Sequence, residues 1–401
     1  MTGDLRLDRL RRRVRRATVA GLARTAMRMR RPARLAVVYG APDYEENSLV
    51  TALRLTELYP GRTILVCTDP VRTGRYLDIA AAVIGGDPAE VMLHPLRKWK
   101  LLDTIGRAEL LFYTHGLFAS PPSSGRRLHI NLWHGTGPKS SANRNFPSRF
   151  QADALSSASS VWGAATARSL GTVEPVTVLP GNARADLLVP TSRARECLGW
   201  EAEEVVVLWL PTYRRSTDVS VGTLREGVPL LKQGIELLKE WAARHGVRLI
   251  VKPHPFDAER LEPLGAELLR THDLWARGVT LGETLVASDA VISDYSSAWV
   301  DAMAAGVPVG LYCPDLDAYD HDRGFNPPPM WECAAGLFLQ TPADLDEFFG
   351  GASSGGFRPR DQKACADVLG LVPGPRSAAM LQEVGKLGLR SRGDDFGLLN
   401  G

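Results

Sequence analysis

The 401-residue sequence contains no apolar run approaching the roughly 18 to 20 residues that a membrane-crossing helix needs. Its N-terminus has neither the apolar segment nor the small-residue cleavage site of a secretory signal, so the expected place of work is the cytoplasm. Cysteine is scarce: Cys67, Cys197, Cys313, Cys333 and Cys365 are odd in number, scattered and never set as C-x-x-C. That pattern argues against a disulfide framework and against a cysteine zinc site, and it suits a reducing compartment. Internal repeats and long low-complexity tracts are also missing. What remains, 44% hydrophobic and 23% charged, is an ordinary globular composition long enough for two domains.

The small net charge of +3 hides an asymmetry, because residues 1 to 34 hold twelve arginines against Asp4 and Asp8. This segment carries +10 and the rest of the chain −7. Leu7, Leu10, Val14 and Ala17 fall at helical spacing, and Leu22, Ala26 and Met29 continue a drifting apolar stripe, so residues 1–33 read as a basic amphipathic arm. Such an arm suits an anionic membrane surface, where each arginine near the headgroups contributes about 1 kcal/mol. A solvated basic tail and a transit peptide are the plainer alternatives. A nucleic-acid partner is not expected, since no aromatic and basic interleaving or nucleic-acid module follows.

From residue 34 onward short apolar runs alternate with helix-length segments. RLAVVYGA (34–41), RTILVCTD (62–69), LLFYTHG (110–116), LHINLWHG (128–135) and VTVLPGN (176–182) predict buried strands ending in polar or glycine turns. After a link near 189–195 a second series follows: EVVVLWLPT (204–212), VRLIVKPHP (247–255), AVISDYSS (290–297) and VPVGLYCP (307–314). The pattern predicts an α/β protein with two Rossmann-like domains, residues 34–190 and 191–349, facing a central cleft where strand ends converge. Residues 350–401 are expected to form a linker, GGASSGG at 350–356, and a last helical segment.

The chemistry is expected at those strand ends. In WHGTG (133–137) His134 follows an apolar strand and Gly135 allows a tight turn, so the imidazole is expected to face the cleft. A histidine there can act as a general base on an acceptor hydroxyl; a loop-holding histidine is the bland reading of any lone one. KPHP (252–255) holds His254 between two prolines, where it can bond a phosphate oxygen. In SDYSS (293–297) Ser296 and Ser297 are candidates for the N-cap and first turn of a helix over 297–305, offering backbone N–H groups to a donor phosphate, with Asp294 orienting the turn. Asp301, one turn on, can accept a ribose hydroxyl or face another helix. LPTYRR (210–215) presents Thr212 and Arg214, and LPGNARAD (179–186) presents Arg184, whose fork suits phosphate oxygens. The acidic stretch DLDAYDHDRGF (315–325) reads as a substrate-proximal loop with Arg323 as a further phosphate contact, and its irregular carboxylates do not predict a metal site.

Taken in order, WHGTG, LPGNARAD, LPTYRR, KPHP, SDYSS and DLDAYDHDRGF resemble the motif series of the CDP-glycerol glycerophosphotransferase family, which builds teichoic acid chains. Gly137, Ala183 and Ala185 depart from that series, where proline or asparagine is usual. The resemblance implies the two-domain glycosyltransferase type B fold and no cofactor. His134 would then act as base, while His254, Arg184, Arg214, Ser296 and Ser297 hold the CDP-linked phosphates. Its implied partners are a CDP-glycerol or related CDP-polyol donor and a lipid-linked saccharide or polyol phosphate acceptor, met at the inner face of the cell membrane. Two other readings stand beside it. DAMAAGVPV (301–309) resembles a helix of nucleotide-sugar glycosyltransferases of the same fold, and a non-catalytic membrane-surface scaffold would keep the cleft without the chemistry.

Overall fold

The computed structural model describes residues 18, 21–23, 25–96, 100–115, 127–140, 152–169, 176–212, 227–255, 257–261, 265–357 and 359–392. Most of the basic arm, residues 1–17, and Arg214 lie outside them.

Among the described residues twelve strands form two parallel sheets. The first holds β1 (Ala33–Tyr39), β2 (Thr63–Cys67), β3 (Val91–Pro95), β4 (Ala108–Tyr113), β5 (Leu128–Asn131), β6 (Ala154–Ser157) and β7 (Thr177–Pro180) in the order β3-β2-β1-β4-β5-β6-β7. The second holds β8 (Val206–Leu210), β9 (Arg248–Val251), β10 (Glu267–Leu268), β11 (Ala290–Ser293) and β12 (Val309–Leu311) in the order β10-β9-β8-β11-β12. Each predicted strand is present. β3, β6 and β10 are additional: ALSS in β6 is too small and polar to read as a strand, and β10 has only two residues.

The apolar runs are continuous because both faces of each sheet are covered. In the first sheet Val38, Leu110, Phe112 and Ile130 enter one core, while Val37, Ile64, Leu111 and Tyr113 enter the core on the opposite face. In the second, Val206, Leu208 and Val291 point one way and Val207, Trp209 and Ile292 the other. Each such fully buried side chain contributes about 1.5 to 3 kcal/mol relative to exposure.

Three sequence expectations change. The GGASSGG stretch is not a connector through its length: residues 350–354 complete the helix Pro342–Ser354, which ends on left-handed Gly355. The acidic stretch 315–325 is mostly the helix Leu316–Arg323 rather than a loop. The described end of the arm also belongs to the fold. Residues 21–23 and 25–29 are helical, and Ala23 and Met27 are buried. Buried Arg127 donates hydrogen bonds to the Met27 carbonyl at 2.7 Å, the Arg30 carbonyl at 2.9 Å and the Ala108 carbonyl at 3.0 Å. That fixes the arm's base to the first sheet.

The chain crosses between the halves more than once. Trp162, from the helix Ser160–Ser169 of the first half, sits in the second half's core against Trp299. The last helix, Ser377–Arg392, returns to the first half, where Met380, Leu381 and Val384 are buried.

Candidate active site

The order of both sheets reverses direction at one point, between β1 and β4 and between β8 and β11. In open α/β sheets ligands bind outside the carboxyl ends of strands at such points. The motif residues follow those ends: His115 after β4, His134 after β5, Arg184 after β7, Thr212 after β8, His254 after β9, and Asp294, Ser296 and Ser297 after β11.

The His134 loop is bent into an uncommon backbone conformation. Trp133 has φ 51°, the one positive-φ non-glycine among the described residues, and such a conformation costs about 1 to 3 kcal/mol unless its surroundings enforce it. Here they do. The Trp133 N–H donates to Asn131 Oδ1 at 2.8 Å, the Trp133 carbonyl accepts from Asn47 Nδ2 at 3.3 Å, and the His134 carbonyl accepts from Arg184 Nη1 at 2.9 Å. Asn47 also takes the Arg184 backbone N–H on its Oδ1 at 3.0 Å. One residue later the second half presses in: a Cβ on Gly135 would lie 2.1 Å from Ser297 Oγ and 2.8 Å from Ser297 Cβ.

The His134 ring stacks on His115, with centroids 4.4 Å apart and planes 7° apart. It has an exposed face, yet protein walls the cleft around it. That enclosure, with His115, Lys139 and Arg184 adding repulsion in that order, lowers its pKa from 6.5 to about 3, while a hydrogen bond to the Thr114 backbone pulls the other way. Water at the open face screens part of this effect, and the ring is neutral near pH 7 in either case. With one ring nitrogen held by that backbone group, the other is left as an acceptor.

Opposite, His254 is half-buried and is lowered to about 4, first by burial, then by Lys252 and Lys139. Lys139 thus acts electrostatically on both rings. Its loop is bound across the cleft, where buried Asn326 donates Nδ2 to the carbonyls of Gly137 at 3.1 Å and Lys139 at 3.0 Å, and its N–H to Pro138 at 2.6 Å. Ser140 N–H donates to the Gly324 carbonyl at 3.0 Å, and Lys139 and Phe325 form an antiparallel bridge.

Asp294 is buried and accepts from Thr212 N–H at 2.9 Å, Thr212 Oγ1 at 2.6 Å and Ser296 N–H at 3.3 Å. It therefore ties the turn together, and Thr212 spends its hydroxyl on it. The helix begins at Ala298, whose N–H donates to Ser296 Oγ at 3.3 Å. Ser297 occupies the N-cap position without a side-chain cap bond; its hydroxyl is turned towards Gly135 instead. Arg323 is exposed at the end of its helix, next to Gly324.

Behind His134 lies a buried charged group that the sequence only partly suggested. Arg184 Nη2 is 2.6 Å from Asp301 Oδ2 and feels Glu45 and Glu46 as well. Asp301 thus faces Arg184. Glu46 accepts the Leu281 N–H at 2.6 Å, and burial lifts its pKa to about 7, opposed by that bond and by Arg184. Burial raises Asp301 against the pull of Arg184, and burial also disfavours the Arg184 charge, which Asp301, Glu45 and Glu46 together more than offset. An arginine keeps its charge at any working pH, and a carboxylate 2.6 Å from it is held ionised, so the pairing governs. Lys252, lowered to about 8 by burial and supported by Glu46, donates to Thr271 Oγ1 at 3.3 Å.

His115, Asn47, Lys139 and Asn326 were not singled out in the sequence. THG at 114–116 repeats the strand-end histidine and glycine of WHG and was a usable signal for His115. Asn47 and Asn326 bond residues far away in the chain and leave no local pattern, and Lys139 reaches His254 as well as the nearby His134. Among the described residues no group of three or more histidines, cysteines and carboxylates is placed to hold a metal, and no helix is long and apolar enough to cross a membrane.

Comparison with known proteins adds to this geometry. The family model of CDP-glycerol:poly(glycerophosphate) glycerophosphotransferases matches residues 37–350. A teichoic acid poly(glycerol phosphate) polymerase of Bacillus spizizenii is 24% identical over 253 residues, 56% of this chain and 61% of that protein. The match thus spans under two thirds of the relative's length. Among solved structures, that of the wall teichoic acid polymerase TagF superposes with a TM-score of 0.63 at 19% identity, over 96% of this chain and 97% of the other. A histidine-to-asparagine variant of TagF soaked with CDPG gives 0.63 at 18% identity, over 96% and 97%. The S. aureus MnaA–UDP structure gives 0.52 at 13% identity, over 90% and 98%. At these identities the structural likenesses establish the two-domain type B fold.

Proposed function

We propose, because this chain belongs to the CDP-glycerol:poly(glycerophosphate) glycerophosphotransferase family, that it transfers glycerol phosphate, or a related polyol phosphate, from a CDP-linked donor to an acceptor hydroxyl. The product would be a teichoic-acid-type cell-wall polymer or its primer. The observation that carries this reading is the cleft itself: a neutral His134 with an open face on one wall, and His254, Ser296 and Ser297 on the other, with Lys139 acting on both histidines.

In this reading the acceptor oxygen attacks the glycerol-bearing phosphorus, the bond from that phosphorus to the bridging oxygen breaks, and CMP leaves. His134 takes the acceptor's proton on its free ring nitrogen. His254, Lys139, the hydroxyl of Ser296 and the turn at Ser297 meet the charge that builds on the departing phosphate, and Arg323 supplies an outer contact. Such chemistry needs mainly positioning and charge stabilisation, without a covalent intermediate. Thr212 and Asp294 hold the donor wall in shape, and Arg184 holds the acceptor wall. The acceptor is a lipid-linked saccharide or polyol phosphate at the cytoplasmic face of the membrane. Support for that location is the +10 of residues 1 to 34, with Leu22 and Met29 exposed seven positions apart on the arm's anchored helix.

The test is incubation with a panel of CDP-polyols and nucleotide sugars. Release of CMP from a CDP-polyol with acceptor elongation is expected; release of UDP from a nucleotide sugar would replace this reading with glycosyl transfer. Turnover of none of the donors would leave the scaffold.

A further inference from the structure

Asp301 stands where a nucleotide-ribose acceptor was one expectation, but its carboxylate is committed elsewhere. It is 2.6 Å from Arg184 Nη2, and the other terminal nitrogen of the same guanidinium is 2.9 Å from the His134 carbonyl. The two carboxyl-side elements belong to different halves: Asp301 lies in the helix Ala298–Ala304 of the second, Arg184 in the short helix Ala183–Leu187 of the first. Arg184 is itself fixed, since its backbone N–H is bonded to Asn47, which also bonds the strained Trp133 carbonyl. The chain of contacts therefore runs from the second half, through one arginine fork, into the backbone of the residue carrying the base.

We propose that Asp301 and Arg184 are a positioning pair through which the second domain sets the orientation of the His134 loop, so that the base is aligned only while the donor domain is seated against it. The inference rests on the reading of His134 as the base. A lysine at position 184 would keep the charge but could not reach both partners, because only the planar fork offers two donors at a fixed separation. The Asp301 carboxylate is taken up by Arg184, so its influence should fall on the chemical step and not on donor affinity.

Asp301→Asn and Arg184→Lys are to be compared with the parent for kcat, KM, donor affinity by calorimetry and thermal midpoint. The expected result for each is a loss in kcat, per folded enzyme, of about 10- to 100-fold, the cost of a misaligned catalytic group, with donor Kd within about threefold and a midpoint that falls because a buried pair is broken. The double variant should be no slower than Arg184→Lys alone, because both changes break one chain of contacts. A rise in donor Kd in Asp301→Asn with kcat kept would make Asp301 a donor ligand and overturn the pairing, as would additive losses in the double variant. Loss of activity that only follows loss of folded protein would reduce the pair to a structural contact. His134→Ala, run alongside, separates this inference from the reading beneath it. If that variant still turns over, the base is elsewhere; if it is inactive while Asp301→Asn is normal, only the positioning pair fails.

Discussion

On the second-domain wall of the cleft, Asp294 ties Thr212 and Ser296 together, and all three belong to the ends of β8 and β11 in one sheet. On the first-domain wall, the His134 loop is held by Asn47 and Arg184 from its own half. It is also held by Asn326, Ser297 and Asp301 from the other. The turn of the donor wall is thus tied within one sheet, whereas the loop of the acceptor wall is held in part from its neighbour. A strained backbone such as Trp133 persists only where several contacts enforce it, and here part of that enforcement is supplied from across the cleft.

The difference between the walls is open to direct tests. The largest effect is expected at the histidines. His134→Ala should lower turnover about 100- to 10,000-fold while leaving donor binding within a few-fold, because the base meets the acceptor; His254→Ala should weaken donor binding as well. Calorimetry beside a CMP-release assay separates the two, and equal behaviour of both variants would erase the distinction between walls.

Stability comes next. Asp294→Ala leaves the buried Thr212 N–H and hydroxyl without their acceptor and should cost about 3 kcal/mol, the upper range for unsatisfied buried groups. Activity should fall only in proportion to folded protein. Gly135→Ala puts a methyl against Ser297 and should cost about 1 to 3 kcal/mol but lose more activity than stability, because it pushes the walls apart. Denaturant titration and assay of both variants together would show whether the acceptor wall is the one sensitive to its neighbour.

The pH profile gives a smaller and sharper test. Since the folded chain lowers His134 and His254 below the ordinary 6.5, to about 3 and about 4, both stay neutral as pH falls through 6.5. The free-enzyme profile, kcat/KM against pH, should therefore be flat there and drop only nearer 4. The unfolded chain takes up protons at 6.5 that the native rings refuse, so their contribution to stability is present above 6.5 and is lost as pH falls towards 4. Glu46, raised to about 7, works in the opposite direction: native Glu46 binds its proton before the unfolded chain does, which adds stability as pH falls from 7 to 4.5. An acid limb at 6.5 would mean that the cleft does not hold the rings neutral.

The smallest effect concerns the arm. Ala23 and Met27 are part of the core, so the informative truncation removes residues 1–17 and spares the anchored helix. It should reduce sedimentation with anionic vesicles and slow transfer to vesicle-held acceptor several-fold, through loss of effective concentration. Transfer to a short soluble acceptor should be unchanged. Raised salt should imitate the truncation, since exposed charges are screened over about 8 Å at physiological ionic strength.

Much of this architecture was legible in the sequence, and the exceptions have a common cause. Nine strands could be read because both sheet faces are covered, which writes runs such as EVVVLWL and LAVVY into the chain. β6 could not, because ALSS is buried by its neighbours' bulk and not by its own. His134, His254 and Asp294 could be read because strand, turn and polar residue follow one another locally. Asn47 and Asn326 could not: their hydrogen bonds close over 86 residues to Trp133 and 189 residues to Gly137. An asparagine carries no sign of a partner so distant. Arg184 was legible as a cation but not as a paired one, since Asp301 lies on the far domain.

The bridge between Lys139 and Phe325, with Asn326 bonded to three consecutive carbonyl positions, bears on how the molecule comes apart. Together with Trp162 in the opposite core and a final helix that returns to the first sheet, it makes each half part of the other's packing. Separating the halves would strip hydrogen bonds from buried carbonyls and expose a tryptophan before either sheet had lost a strand. Melting of one half should therefore remove support from the other, and calorimetry is expected to show one cooperative transition in place of two independent ones.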